Sequence, residues 1–479
     1  MRSGGAPLGK DGHVSPLNLP PRRLSFIGQG KLGCPIAAAM ATRGFEVVGV
    51  DSDAARVAAI NARQAPIFEP GLAQLMAQAG DCYRATTDVT QAVLETDASF
   101  IIVPTPSGPD GGFVLDAVLA VCTRIGHALA RKSGYHLVVV TSTVMPGSTG
   151  GPVRQALENA SGKRCGADFG LCYSPEFVAL GSVIHDCLHP DMLLIGQSDE
   201  RAGAMLEAIG LAASLSKPAV ARMNFVNAEI AKIAVNTFVT TKITYANMLA
   251  SICHHLPGGD VDAVTKALGL DSRIGRKYLT GAVGYGGPCF PRDNLALACL
   301  ARQIGAASDL AESVDAANRR AVQRLADLVA AHRAESGVIG VLGLAYKPNT
   351  DVVEQAQGLM LVQELHGRGL PVIGFDPAAN QNARGVLGQS IALAATLEEA
   401  VNRADVLVIV TPWPQFKQLE TMSRARRVPP RVIIDCWRYL DATRLAAADP
   451  SGTYVALGRG PAEKLPQAAA TNTSAEAAA

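Results

Sequence analysis

The segment LSFIGQGKLG places Gly28, Gly30 and Gly33 in a G-x-G-x-x-G pattern, directly after an apolar run and at the start of a helical pattern. Each glycine answers a different steric demand. The first closes a tight turn, the second lets the main chain approach a pyrophosphate, and the third allows a helix to pack closely on a strand. The next apolar run, FEVVGVD, ends in Asp51, at the distance where a carboxylate accepts from a ribose hydroxyl while helix N–H groups face the pyrophosphate. With 47 glycines in the chain, the glycine spacing alone carries little. The preceding strand, the following helix and the acidic residue together predict a dinucleotide site. An acid there repels a 2′-phosphate, so NAD is expected rather than NADP; Arg56 either blunts that preference or packs on the adenine.

A chain of 479 residues holds more than this one unit. The runs RLSFIG, FEVVGVD, ASFIIVPTP, HLVVVTST and DMLLIG read as buried strands separated by Ala-rich helices. Strand–helix alternation returns in GVIGVLGL, LPVIGFD, DVLVIVTP and RVIIDC. Between them, Asn224 to His254 shows helical spacing without Gly or Pro, which predicts one long helix. The expected organisation is a flexible leader over 1–21, an α/β Rossmann-like domain over 22–217, a helical region over 218–334, a second Rossmann-like doubly wound domain over 335–460, and a disordered tail over 461–479. The second domain has Gly340 and Gly343 after a strand but no full glycine pattern.

Charge excludes one class of partner. Lys plus Arg number 43 against 42 Asp plus Glu, and no basic stripe is visible, so a nucleic-acid binder is not expected. The ten cysteines show no CxxC pair, which argues against a disulfide framework or a metal site and for a reducing, cytoplasmic compartment. Neither a signal-peptide pattern nor an apolar stretch of roughly 20 residues is present, so no membrane association is expected.

Two further stretches carry chemistry. In GYGGPCFPRD, Cys289 follows glycines and a proline and precedes Arg292 and Asp293. A buried packing cysteine is one reading; the other is a nucleophile whose thiolate form a nearby cation favours. On the long helix, Glu229, Lys232 and Asn236 share one face at three- and four-residue spacing. They form either a solvated stripe or part of a site. NAD with a catalytic cysteine is the chemistry of oxidation to an acid.

With these segments stand PIFEPGL, STVMPGST, SPEF, AEIAKIAVN and VLGLAYKPNTD. In this order and spacing the chain, from about Arg22 to Gly458, resembles the UDP-glucose/GDP-mannose dehydrogenase family. The resemblance implies two successive NAD-dependent oxidations of the C6 alcohol of a nucleotide sugar to a carboxylate. UDP-glucose is the default substrate, with a UDP-N-acetylhexosamine, GDP-mannose, or binding without catalysis as alternatives. It implies Cys289 as the nucleophile of a thiohemiacetal and thioester, and Lys232 as the group that deprotonates the alcohol or stabilises its oxyanion. Asn236 is implied as its polar partner, Asp293 with Thr143 as holders of a water, and Glu176 as the carboxylate assisting hydrolysis. The implied cofactor set adds Lys31, Leu32, Thr105, Thr143 and Arg292 to the glycines, Asp51 and Arg56. The implied substrate set adds Phe177, Tyr278, Gly286, Tyr346, Lys347 and Arg438, with Arg273 supplied to the neighbouring subunit of a homodimer through the helical region. On residue type alone Tyr346 also reads as core packing and Arg438 as a surface cation.

Three positions depart from the family pattern. SPEFVALG has Leu180 where a second carboxylate is usual, EQAQ puts Glu354 where an arginine usually serves the cofactor, and Arg292 replaces a lysine before Asp293. Leucine can hold no proton, and a carboxylate repels a pyrophosphate, so these positions are expected to alter the second step or the cofactor grip.

Overall fold

The structure, a computed structural model, describes residues 21–422, 432–448 and 450–461. The expected leader and tail fall outside these residues apart from Pro21 and Pro461. The chain divides into two compact units, one reaching to Val235 and including Cys299–Ala306, the other comprising Asn236–Ala298 and the chain from Ala307 onward. The expected separate helical region is thus shared between them. Its long helix, Phe225–His255, begins in the first unit and ends in the second.

The first unit is built on eight strands: β1 (Arg23–Ile27), β2 (Glu46–Val50), β3 (Tyr83–Thr86), β4 (Ala98–Ile101), β5 (Leu137–Val140), β6 (Gly170–Tyr173), β7 (Met192–Gln197) and β8 (Ala219–Met223). Their order is β3-β2-β1-β4-β5-β6-β7-β8, parallel except where β7 runs antiparallel to β6. The strand order reverses between β1 and β4, and ligands of such sheets lie at the carboxyl ends of strands flanking that point. β4 and β5 are buried along their whole length, as expected of strands covered on both faces. Sequence reading misses β3, β6 and β8. β3 alternates buried Tyr83 with exposed Arg84 on the sheet edge, and β8 is only partly buried.

The second unit carries β9 (Ile339–Leu342), β10 (Val372–Phe375), β11 (Ala392–Leu393), β12 (Val406–Ile409), β13 (Val432–Asp435) and β14 (Thr453–Ala456), all parallel in the order β11-β10-β9-β12-β13-β14. This repeats the order of β3-β2-β1-β4-β5-β6. The glycine geometry repeats as well. Gly343, after β9, has φ +95°, and a Cβ on Gly358 would stand 1.9 Å from its carbonyl oxygen. In the first unit Gly28 has φ +101°, and a Cβ on Gly33 would stand 1.8 Å from the Gly28 oxygen. The second domain therefore keeps the turn glycine and the packing glycine, with a long loop inserted between them. That insertion hides the pattern from a spacing search.

Candidate active site

The cofactor turn has the shape its sequence predicts. A Cβ on Gly28 would meet the Ile102 carbonyl oxygen at 2.2 Å, whereas one on Gly30 would meet nothing within 4 Å. Gly30 thus presents open main chain at the start of the helix Gly33–Thr42, the arrangement a pyrophosphate needs. Asp51 accepts the Gln29 N–H at 2.7 Å, the Asp53 N–H at 2.9 Å and Arg56 Nη1 at 2.9 Å. Burial alone raises its pKa, but the Asp53 and Gln29 N–H groups and the Arg56 guanidinium outweigh burial and hold it below the usual carboxylate range. Arg56 is therefore the partner of Asp51. Leu32 packs on the apolar core while Lys31 is exposed beside the turn. Thr105 Oγ1 donates to the Thr143 carbonyl at 2.7 Å, joining the loops that follow β4 and β5. These residues fit NAD. Sequence reasoning missed Gln29 and Tyr83: the Gln29 amide donates to the Phe26 carbonyl at 2.6 Å and accepts from the Tyr83 hydroxyl, bracing the turn from inside.

The Glu229, Lys232, Asn236 edge is no solvated stripe, being only 0, 7 and 8% exposed. Lys232 Nζ donates to the Glu176 carbonyl at 2.6 Å and lies 4.4 Å from the centre of the Phe177 ring. The first unit thus brings Lys232, Glu176 and Phe177 together. Desolvation pushes the Glu176 carboxyl up to about 7 against the opposing pull of Lys232. A general base near neutrality is well matched to activating a water. If the Glu176 base form limits turnover, activity rises with pH through about 7 and levels off above it. Rate–pH profiles should lose that limb in Glu176→Gln; an unchanged limb assigns it to another group. The same raised pKa means that the protonated form favours the fold. Its contribution to stability is complete below the ordinary carboxylate range and is lost as pH rises through about 7.

Leu180, where a second carboxylate was expected, packs its side chain on the core of the first unit. Its loop has gained an apolar anchor in place of a charge.

In the second unit Cys289 is exposed, which removes the reading of a buried packing cysteine. Its carbonyl accepts the Asp293 N–H at 2.8 Å, so the thiol stands at the start of the helix Phe290–Gln303, where main-chain N–H groups favour an anion. Burial instead pushes the thiols of Cys34 and Cys122 up to about 11 and about 12. Cys82 is exposed too, so the other cysteines are not all packing residues. Asn236 Nδ2 donates to Asp293 Oδ2 at 2.6 Å, and Arg292 Nε lies 3.5 Å from Asp293 Oδ1. Asn236, Asp293, Arg292 and the Cys289 main chain therefore form one cluster.

The glycines before Cys289 are tightly enclosed. A Cβ on Gly286 would stand 2.3 Å from the Gln355 carbonyl oxygen, and one on Gly287, at φ +85°, 2.6 Å from the Tyr346 ring. The Gly287 N–H donates to the Glu354 carbonyl at 2.9 Å, and Gln357 Nε2 to the Tyr285 carbonyl at 2.9 Å. The altered EQAQ segment thus grips the cysteine loop, and the Glu354 side chain is exposed. Tyr346 packs beneath that loop, with Lys347 half-buried beside it.

The remaining substrate candidates behave differently. Arg438, in a left-handed conformation at φ 56°, has its side chain 1% exposed, so it is not a surface cation. It binds Asp262 through Nε at 2.8 Å and Nη2 at 2.9 Å and donates further to the carbonyls of Gly281, Leu457, Cys436 and Thr280. Its donors are thus committed within the protein, and contact with a sugar requires displacing one of these partners. Arg273 is 86% exposed and pairs with Asp271 at 2.6 Å. Tyr278, at φ 66° and 50% exposed, meets Phe290 edge-on. Asp376, placed after β10 as Asp51 is after β2, accepts from the N–H groups of Leu344, Ala345, Ala378 and Ala379 and from Trp413 Nε1. It is 2% exposed, its two oxygens already engaged by these main-chain and indole donors.

Among the described residues no group of three His, Cys, Asp or Glu side chains could hold a metal, and no helix is long and apolar enough to cross a membrane. Residues 22–210 match the UDP-glucose/GDP-mannose dehydrogenase family NAD binding domain, 226–320 its central domain and 340–442 its UDP binding domain. The chain is 39% identical to a UDP-glucose 6-dehydrogenase of Haloferax volcanii, over 86% of this chain and 96% of that one. It is 34% identical to a GDP-mannose 6-dehydrogenase of Azotobacter vinelandii, over 89% and 99%. The solved UDP-glucose dehydrogenase of Pyrobaculum islandicum superposes with a TM-score of 0.81 at 32% identity, covering 95% of this chain and all of that one. With a glycine turn fitted to NAD, a buried lysine and a cysteine at a helix start, the chain belongs to the UDP-glucose/GDP-mannose dehydrogenase family and is an NAD-dependent oxidoreductase acting at C6 of a nucleotide sugar.

Proposed function

We propose that the chain is a UDP-glucose 6-dehydrogenase that carries its substrate through both oxidations to UDP-glucuronate, a precursor for polysaccharide synthesis. The observation that supports this reading is the pair of hydrogen-bonded clusters around Lys232 and around Asp293. Lys232 is buried against the Glu176 carbonyl, and Asn236 is bonded to Asp293 beside Cys289.

NAD supplies one thing when bound, acceptance of a hydride from C6 at each oxidation. Lys232 takes the hydroxyl proton or stabilises the alkoxide left behind, while Asn236 hydrogen-bonds the reacting oxygen. The Cys289 thiolate adds to the aldehyde carbon, giving a thiohemiacetal. Loss of its hydride and hydroxyl proton leaves a thioester. A water held by Thr143 and Asp293 and deprotonated by Glu176 attacks the thioester carbonyl, releasing the carboxylate and the thiolate. A Glu176 carboxyl pushed up to about 7 favours completion of this step despite Leu180.

The proposal includes a cytoplasmic homodimer with Arg273 offered to the neighbouring subunit. Phe238, Tyr245, Met248 and Ile252 lie 46 to 65% exposed along the long helix, an apolar row that a second copy would cover. UDP-glucose should yield two NADH per UDP-glucuronate in a coupled absorbance and product assay, and more slowly, if at all, from GDP-mannose or UDP-N-acetylhexosamines. One NADH per sugar with released aldehyde would sink the four-electron reading, and preference for another sugar would sink the substrate.

A further inference from the structure

We propose that Glu69 and Glu229 are positioning residues for the reaction, two buried carboxylates that clamp the loops carrying Glu176 and Thr143. Glu69 belongs to PIFEPGL, in the chain between Asn61 and the helix Leu72–Ala79, and it is 7% exposed. Its Oε2 accepts the Gly181 N–H at 2.7 Å and its Oε1 the Val183 N–H at 2.8 Å. Asp186 holds the same loop by accepting from the Ala179 N–H at 3.0 Å and Ser182 Oγ at 2.8 Å. At its other end the loop is tied to β5, where the Ser174 N–H donates to the Val140 carbonyl at 2.9 Å. Glu176 lies between these anchors, and its carbonyl is the acceptor that fixes Lys232 Nζ.

Glu229 repeats the device one loop away. It is fully buried, its Oε2 accepts the Gly147 N–H at 2.6 Å, and its Oε1 accepts the Thr149 N–H at 2.8 Å. Those residues close the turn that follows Thr143. In both places two N–H groups, two positions apart in the chain, converge on one carboxylate. A carboxylate offers only acceptors, so it satisfies both; a glutamine sets an NH2 against one of them. Where the donor is itself buried, as at Val183 and Thr149, that lost bond also leaves an unsatisfied N–H. Neither glutamate reaches the chemistry directly. Each acts through the main chain of a loop whose side chains do.

This inference rests on the catalytic roles proposed above. Its test compares full-length wild type with Glu69→Gln and Glu69→Asp, measuring kcat, KM for UDP-glucose, Kd for NAD and the mass of any sugar-acyl adduct on Cys289. The expected result for Glu69→Gln is a fall in kcat of roughly 10- to 100-fold, with KM and Kd changed less than about threefold and acyl-enzyme accumulating because hydrolysis slows. Glu69→Asp keeps both acceptors and should recover part of kcat. If Glu69→Gln does not fold, the same readings are made on Glu69→Asp, which should show the smaller kcat loss. Hydrogen exchange on wild type supplies an independent reading: the Gly181, Val183, Gly147 and Thr149 amides should be protected like those of β6. Folded variants with unchanged kcat, or unprotected amides, overturn the clamp. A wild type that turns over no nucleotide sugar sinks the function reading instead, and the exchange measurement still decides whether the clamps exist.

Discussion

Cys289→Ser is expected to abolish formation of the sugar acid, with a loss of at least roughly 10³-fold in turnover to product. A hydroxyl at the helix start is far less nucleophilic than a thiolate, and Cys299, farther along the same helix, is buried. The NAD turn is built from Gly28, Gly30, Gly33 and Asp51, none of which the substitution touches, so the Kd for NAD should stay within about twofold. Single-turnover mixing should show at most one NADH per enzyme-bound sugar, and intact mass should show no acyl adduct of the wild-type kind. Sustained release of acid by the serine variant would remove Cys289 from the mechanism. Wild-type enzyme treated with a thiol alkylating reagent should lose activity as the exposed Cys289 is alkylated, although exposed Cys82 will also react and must be followed separately.

Lys232→Ala should lower kcat on the order of 10²- to 10⁴-fold, because the charge that stabilises the forming oxyanion disappears from a buried position. The loss falls on the first hydride step, so substrate deuterated at C6 should show a larger isotope effect in the variant than in wild type. Arginine should not restore the rate. Its guanidinium neither gives up a proton near neutrality nor fits the single point held between the Glu176 carbonyl and the Phe177 ring. An isotope effect that shrinks would place Lys232 in binding or release. The Cys289 and Lys232 variants thus fail at different stages: the first still begins the oxidation, and the second scarcely does.

The cofactor half was legible in the chain because its demands are local. Gly28 must take a positive φ, Gly33 must let the helix touch the turn, and Asp51 must end the next strand; all three conditions fall within one strand–helix–strand passage. The long helix was equally legible, since it is continuous and lacks Gly and Pro. The second domain was only half legible. Its packing glycine, Gly358, is separated from Gly343 by an inserted loop, and only contact in space pairs them. Arg438 read as a surface cation or a sugar ligand, yet it is buried in a left-handed turn against Asp262, far off in sequence. The Glu354 side chain is exposed, and its carbonyl, which any residue supplies, accepts the Gly287 N–H.

By itself the sequence determined the doubly wound α/β class, the preference for NAD and the helical row of Lys232 and Asn236, and it singled out Cys289 as the candidate nucleophile, since periodicity, spacing and residue chemistry suffice for these. Tertiary structure alone decided that this row is buried, that Glu176 titrates near neutrality, and that Glu69 and Glu229 hold the loops around it. Desolvation and main-chain hydrogen bonds depend on what surrounds a group after folding, and residues 112 and 82 positions apart in the chain meet only then.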